Sequence, residues 1–515
     1  MTSIGSIVGL LFTVTLFTFI FRYASTYLFF KAQVPPGARL PRGPKGFPVL
    51  GNLLQVPPTH SWIKFKEWAE QYGPLYSLSL AGNRHVIVST EKIANDLLRG
   101  RGNIYSSRPY FPMGGEILSG NLRPVLLPYN ELWRKGRKLM HGFTSETVAS
   151  AYEPVQLLES SRLLKDLLAD PNNYEKLFER YSAAVILRLA YGKTVETGDE
   201  KVVRDILEVV HTVELVASPG AYLVDIFPML MWLPKWLAPF KREGERLHRR
   251  ELNLFRQNLD DVRNDIAKGS QTPSFCRSWL EKEQLTGLTN DEAAYVIGTM
   301  FEAGSGTTAA AMLSFVLAMV HHPEWQRRLQ REIDDVVGNS RLPNFDDIPR
   351  LPITRAIVKE TLRWRPVTAG GLPHQLVKDD VYQGVFLQAG TCIHPNQWAI
   401  HRDPSLYPDQ ENFRPERWLE PSWPTYHEPL TQFPNLQNFS AFGFGRRICP
   451  GQSIAERSLN IVVARIGWGC TVSKLRDVDV PLYDYTTGFN VQPNKFQFSL
   501  EPRGTHTLRL LSERL

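Results

Sequence analysis

Phe442-Gly443-Phe444-Gly445-Arg446-Arg447-Ile448-Cys449-Pro450-Gly451, followed at once by the amphipathic stretch Ser453–Ile466 (SIAERSLNIVVARI), decides how the rest of the chain is read. It places one cysteine on a glycine-punctuated loop at the start of a helix. The two arginines and the positive end of the helix dipole are expected to favour a thiolate there. The loop supplies no second Cys and no His, which makes it a poor zinc site.

Working outward, other chemistries find no support. Gly443-Phe444-Gly445 opens like a dinucleotide fingerprint, but Ile448 stands where the third glycine belongs and no strand precedes it. The chain has no G-x-x-x-x-G-K, no G-x-S-x-G and no H-E-x-x-H. Asn438-Phe439-Ser440 has the form of a glycosylation sequon and is read as chance. The thiolate is left as a nucleophile or as the axial ligand of a haem, with a buried structural cysteine as the plain alternative.

The 515 residues allow about three domains or one unusually large one. With 43% apolar, 22% charged and 11% aromatic residues, the chain is neither disordered nor fibrous. Four cysteines, none spaced C-x-x-C, exclude a disulfide-dense scaffold and a zinc ribbon. The net charge of +7 alone does not choose between nucleic acid, an anionic membrane and an acidic protein partner.

The first 21 side chains are uncharged, and Ile4–Phe21 is an 18-residue apolar stretch extended by YASTYLFF to Phe30. Eighteen helical residues span roughly 27 Å, close to the hydrocarbon thickness of a bilayer. Lys31, Arg39, Arg42 and Lys45 follow the stretch and do not precede it. That argues for an uncleaved anchor (residues 1–30) with its C-terminal flank in the cytosol, and against a signal peptide. Residues 34–51 (VPPGARLPRGPKGFPVLG) hold five prolines and four glycines, so residues 31–52 read as a stiff basic hinge. The domain proper then runs from 53 to 515.

Within that domain, Trp62, Phe65, Trp68 and Tyr72 have helical spacing, and Leu75–Ser89 alternates around a Gly82-Asn83 turn. Lys241–Lys268 reads as a charged surface helix with Phe255, Leu259, Val262 and Ile266 as its buried stripe. Thr289–His321 opens with a capping-like Thr-Asn-Asp-Glu and suits a long central helix. Short strands are expected in Val381–His394, and a final hairpin in Phe496–Leu500 and Thr505–Leu511 around Pro502-Arg503-Gly504. The expected fold is mainly α with small peripheral β-sheets.

The cysteine loop, read as Phe442-x-x-Gly445-x-Arg447-x-Cys449-x-Gly451, resembles the haem-binding loop of cytochrome P-450 monooxygenases. Four further segments resemble this family in the expected order. They are Trp133-Arg134-Lys135-Gly136-Arg137, Ala303-Gly304-Ser305-Gly306-Thr307-Thr308, Glu360-Thr361-Leu362-Arg363 and Phe413-Arg414-Pro415-Glu416-Arg417-Trp418. The resemblance implies a single haem-thiolate domain behind the anchor, with haem b as cofactor and Cys449 as its iron ligand. It places Trp133, Arg137 and Arg447 at the haem propionates, with His374 as a further contact or else a surface histidine. Ala303, Gly306 and Thr307 fall on the oxygen side, Thr307 beside dioxygen as a proton donor. The family usually carries an acid at position 306, and the glycine here puts the usual proton relay in question. Glu360, Arg363 and Arg417 correspond to a buried structural triad.

The reaction implied is insertion of one oxygen atom into a hydrophobic or aromatic small molecule. Electrons come from NADPH through a separate NADPH-cytochrome reductase, with cytochrome b5 as a further candidate donor, because the chain has no flavin or nicotinamide motif. Arg134, Lys135, Arg137, Lys138, Arg446 and Arg457 are expected to form the basic docking face, which accounts for the net charge better than nucleic acid does. The substrate lining is expected from Tyr110–Leu118, Val213–Leu230, Val296, Met300, Ala303, Thr368–Leu372 and Gly488-Phe489. The strings ETLRWRPV and AIHRDP are most similar to microsomal enzymes of filamentous fungi, which implies the endoplasmic reticulum membrane and secondary metabolism. Desaturation or rearrangement without hydroxylation is the alternative activity, and a membrane-tethered helical binding protein the alternative class.

Overall fold

The computed structural model describes residues 34–218, 220–426 and 436–514, so the proposed anchor at 1–30 lies outside the described residues. The first helix, α1 (Ser61–Tyr72), buries Trp62, Phe65 and Trp68 on one face. Strands β1 (Leu75–Leu80) and β2 (Asn83–Val88) follow as an antiparallel hairpin. Leu80 pairs with Asn83, so the turn residues are Ala81 and Gly82, one position earlier than read from sequence. Both have positive φ (48° and 85°), the backbone that matches a two-residue hairpin turn to strand twist.

Helices α2 (Glu131–Thr144), α3 (Tyr174–Tyr191), α4 (Lys201–Ala217) and α5 (Pro239–Ala267) then build the helical layer. The last of these buries Phe255, Leu259 and Val262 and leaves its charged faces in water, as its spacing indicated. At its centre lies α6 (Asn290–His321). Thr289 accepts from Glu292 N, and the Glu292 carboxylate accepts from Thr289 N at 2.7 Å, a reciprocal cap that satisfies donors the first turn leaves unpaired. Most of α6 is buried, because its apolar residues face all round and every side meets another element. Among the described residues it is the one helix long and apolar enough to span a membrane, and its burial makes it a core helix.

After α7 (Pro352–Trp364) come β3 (His374–Gln375), β4 (Asp380–Tyr382), β5 (Val385–Leu387) and β6 (Cys392–Pro395). The main sheet has the order β1-β2-β6-β3, with β2 and β6 parallel and β3 antiparallel to β6. Helix α8 (Gln452–Gly469) leads into β7 (Cys470–Ser473). The chain ends in β8 (Ser499–Pro502), antiparallel to β7, and helix α9 (Thr505–Arg514).

Two expectations are corrected here. The terminal hairpin does not form: β8 pairs with β7, and residues from Thr505 on are helical. Thr507, Leu510 and Leu511 are the buried residues, spaced i, i+3 and i+4, which is the helical period hidden inside an apparent alternation. The Pro/Gly stretch is also not a free-standing hinge as far as residue 52. Arg39 N donates to Gly384 O and Phe386 N to Arg39 O, both at 2.8 Å, while Ser77 N donates to Arg42 O at 2.7 Å. Prolines cannot donate, but the carbonyls between them accept from the sheet edges. Gly51, with φ of +60°, sits so close to β1 that a Cβ there would lie 2.1 Å from Ser79 O.

Candidate active site

A cavity of about 370 Å³ opens between α6 and the Cys449 loop. Ala303, Gly304 and Thr307 line it from the helix, Phe442, Cys449 and Gly451 from the loop, and Arg108, Trp133, Arg137, His374 and Arg447 at the edge. Gly445, also in the loop, has φ of +56°, and a Cβ on it would lie 2.2 Å from Leu98 O. Only glycine fits, and the turn brings Cys449 N to 2.8 Å from Phe442 O.

Cys449 is the one exposed cysteine, while Cys276, Cys392 and Cys470 are buried. Its exposed surface is cavity, not bulk water: removal from solvent pushes the thiol up. The amides of Gly451 and Gln452 at the start of α8, and the charge of Arg137, pull the other way. The neighbouring arginines do not act as the sequence suggested. Arg446 donates to the Tyr129 hydroxyl at 2.7 Å. Arg447 donates to Ser106 O and Leu127 O at 2.7 Å and to Pro124 O at 3.3 Å. The Tyr129 hydroxyl takes Arg446 and the three carbonyls take Arg447, so a thiolate here needs a cation placed against it.

The edge is a concentration of unneutralised positive charge. Arg108 donates from Nε to Val125 O and from Nη1 to Leu372 O and Pro373 O, at 2.7 to 3.1 Å. Among the described residues no Asp or Glu pairs with Arg108, Arg137 or Arg447. Burial, and then Arg137, holds Arg447 down at about 9; burial, and then Arg447, holds Arg108 well below its ordinary value. A ligand with carboxylates at its edge removes that repulsion. Arg108 was missed in the sequence: Ser106-Ser107-Arg108-Pro109 has neither periodicity nor a motif to single it out.

His374 is buried, which removes the surface-histidine alternative. Its Nδ1 lies 2.8 Å from Tyr105 O. A carbonyl only accepts, so Nδ1 carries the proton and Nε2 of the neutral ring is an acceptor. Burial, then Arg108, holds the ring far below its usual range, so it would grip a carboxylate only once protonated.

On α6, the Thr307 hydroxyl donates to Ala303 O at 2.7 Å, leaving its oxygen lone pairs free to accept. The glycine of Gly304 has a packing reason: a Cβ there would lie 2.8 Å from Ile186 Cγ1 of α3. A Cβ on Gly306 would meet only Val210 Cγ1 of α4, at 3.6 Å, so the missing acid reflects no lack of room. One turn back, Glu302 is buried and paired with Arg123, which also holds Glu251. Burial pushes Glu302 up to about 7, but its oxygen is committed to Arg123. The hydroxyls of Thr299 and Ser182, which also line the cavity, are buried and have no partner.

Behind the loop, Glu360 accepts from Arg363 at 2.7 and 2.8 Å, from Arg417 at 3.2 Å, from Trp418 Nε1 at 3.0 Å and from Arg414 N at 2.8 Å. Glu360, Arg363 and Arg417 are fully buried, and the remaining guanidinium donors reach His401 O, Pro408 O, Asp409 O, Gln410 O and Asn412 O.

Other expectations are narrowed. Arg457 is buried and paired with Glu146 and Glu153, and Arg137 turns into the cavity. The exposed part of the basic face is therefore Arg134, Lys138 and Arg446, with Tyr129 stacked between the two arginines. Met300, Ala303, Thr368, Gly371, Leu372 and Phe489 do line the cavity. Val296 instead packs against Gly136, and Met113, Leu118, Val216 and Val224 form an apolar cluster of their own.

Residues 41–500 match the family model described as cytochrome P-450, and the chain belongs to that family of haem-thiolate oxidoreductases. It is 37% identical to cytochrome P-450 monooxygenase 253 of Postia placenta, over 90% of this chain and 89% of that one. It is 35% identical to cytochrome P-450 monooxygenase fogE of Aspergillus ruber, over 92% and 89%. With cytochrome P-450 monooxygenase virE of Hypocrea virens the identity is 34%, over 90% and 85%. Among solved structures, a zebra fish cytochrome P-450 with abiraterone superposes with a TM-score of 0.69 at 24% identity, covering 86% of this chain and all of that one. The match excludes the helical binding protein. The residues fit a haem: a single thiol open to the cavity, and an edge of cations without carboxylates.

Proposed function

We propose that the protein is a membrane-tethered monooxygenase that inserts one oxygen atom from dioxygen into a hydrophobic or aromatic small molecule, in fungal secondary-metabolite biosynthesis. The observation that carries this reading is the Cys449 thiol and the Thr307 hydroxyl lining one cavity. Haem bound there supplies the activation of dioxygen. Cys449 would hold its iron through the sulfur, and Phe442, Gly445 and Gly451 shape the loop that presents it. Trp133, Arg137, Arg447 and Arg108 hold the two propionates, with His374 as a further contact. The Thr307 hydroxyl, its own proton donated to Ala303 O, would accept from a water in the cavity and hold that water as the proton carrier, while Ala303, Met300 and Phe489 exclude bulk solvent. Glu360, Arg363 and Arg417 hold the framework.

Electrons come from NADPH through a separate reductase, and Arg134, Lys138 and Arg446 are its proposed contact. The uncharged N-terminal stretch at 1–30 is the proposed single-pass anchor in the endoplasmic reticulum, with the catalytic domain in the cytosol. Gly306 favours a second reading, in which the substrate is desaturated or rearranged without gaining oxygen.

The test has two arms. The reduced protein should give the red-shifted carbon monoxide spectrum of a thiolate-ligated haem, and Cys449→Ala should lose it; a Cys449→Ala variant that keeps it overturns the ligand assignment. Turnover with reductase, NADPH and labelled dioxygen should place one labelled oxygen in the product. Turnover to a product without label selects the second reading.

A further inference from the structure

Outside the cavity, the main sheet gathers three side chains that the proposed reaction does not use. His85 on β2 stands opposite Cys392 in the parallel register. His394, two residues on along β6, shares the face of Cys392 by the two-residue repeat of a strand. His85 Nδ1 lies 2.8 Å from His394 Nε2, and a ring nitrogen of each histidine and the Cys392 sulfur all fall within 4.8 Å of one another.

We propose that His85, Cys392 and His394 form a zinc site that ties β2 to β6. A thiolate with two imidazoles is a borderline-soft donor set suited to tetrahedral zinc, with a water in the fourth position. Bond lengths of about 2.0–2.1 Å to nitrogen and 2.3 Å to sulfur put tetrahedral ligand atoms about 3.3–3.7 Å apart. The two imidazole nitrogens, 2.8 Å apart, must spread by about half an ångström to seat the ion, and the sulfur lies within 4.8 Å of both. Cys392 is buried, and His85 and His394 are half-buried residues beside it.

The site bears on the cavity through the sheet. Ile393, between the two β6 ligands, pairs with His374 of β3 at the cavity edge. Zinc is thus placed to hold the strand that positions His374, a part independent of the reaction proposed above.

The test uses the full-length, haem-loaded protein. It is given zinc, dialysed against a weak chelator, and its zinc is counted against haem. One zinc per haem is expected, and X-ray absorption at the zinc edge should show one sulfur at about 2.3 Å and two nitrogens at about 2.0–2.1 Å. Cys392→Ser, and His85→Gln with His394→Gln, should lose the zinc and keep the haem spectrum. Less than a tenth of an equivalent bound, an oxygen-only shell, or zinc retained in both variants overturns the proposal. If the variants fail to load haem, the wild-type absorption edge decides alone: a shell with sulfur supports the site and one without it overturns it.

Discussion

Two regions of the molecule, neither of them lining the cavity, are built on opposite terms. Behind Cys449, Glu360, Arg363 and Arg417 lie wholly inside the protein, and each polar atom of the Glu360 carboxylate is engaged. The segment from Leu223 to Leu237, by contrast, buries Val224 but shows most of its apolar side chains to the outside: Trp232 is 88% exposed and Trp236 72%. The first region is a charged lattice without slack, the second an apolar surface without a fixed partner. A network of buried charges has one good arrangement, because removing any member strands the others. Apolar contacts are nondirectional and can be re-made in several ways. The difference separates a region with one workable arrangement from one that can be re-made in several ways.

The largest effect should come from the rigid side. Glu360→Gln keeps the shape and removes the charge, leaving Arg363 and Arg417 facing each other. A loss of about 3–5 kcal/mol is expected in denaturant titration, a large part of the stability of an ordinary domain. An unmoved midpoint would break the comparison.

Thr307→Ala, on the central helix, should leave substrate binding nearly intact. Product formation should fall within the roughly 10²–10⁴-fold range of acid–base contributions, with reducing equivalents diverted to hydrogen peroxide. Gly306→Asp, with room beside Val210, should leave coupling unchanged or improve it. The ratio of product to NADPH consumed reads both, and an unchanged ratio in Thr307→Ala sends the proton path elsewhere.

On the apolar side, Trp232→Ser with Trp236→Ser should weaken binding of a chain beginning at residue 31 to lipid vesicles by about tenfold for each tryptophan, measured by flotation. Equal flotation would mean the exposed side chains do not meet lipid.

The smallest effect concerns pH. Asp225 accepts from Met113 N at 2.9 Å, and burial pushes it up to about 6. A folded value above the unfolded 3.8 means the protonated form is the one that stabilises. That contribution is complete below about pH 4 and lost as pH rises through 6. Proteolysis near residues 112–118 should therefore quicken between pH 5 and 8 in the wild type, while Asp225→Asn stays flat. Equal pH dependence in both would move the titrating group elsewhere.

The legible residues were those whose chemistry demands a residue type at a spacing. Cys449, Thr307 and the Glu360–Arg363 pair announce themselves because ligand, hydroxyl and ion pair each admit few substitutes. The central helix was legible through its cap and its unbroken apolar run. Arg108 was not, since nothing local marks an arginine whose work is done beside Arg447, far along the chain. His85 and His394, 309 positions apart, meet only because β2 and β6 pair in parallel, and no local pattern foretells such a pairing. The C-terminal helix was hidden for a different reason: in Thr505–Leu511, alternation and helical period coexist over so few residues that only packing chooses.

The proline-rich stretch laid along the sheet shortens the reach of the whole enzyme. With the proposed anchor ending at Phe30 and the backbone pinned from Arg39 onward, eight residues of chain separate the two. Fully extended, eight residues reach at most about 29 Å, less than a bilayer with its headgroups is thick. On the proposed anchor, the domain would be held against the lipid, and a hydrophobic molecule leaving the bilayer would have only a short distance of water to cross before meeting the protein.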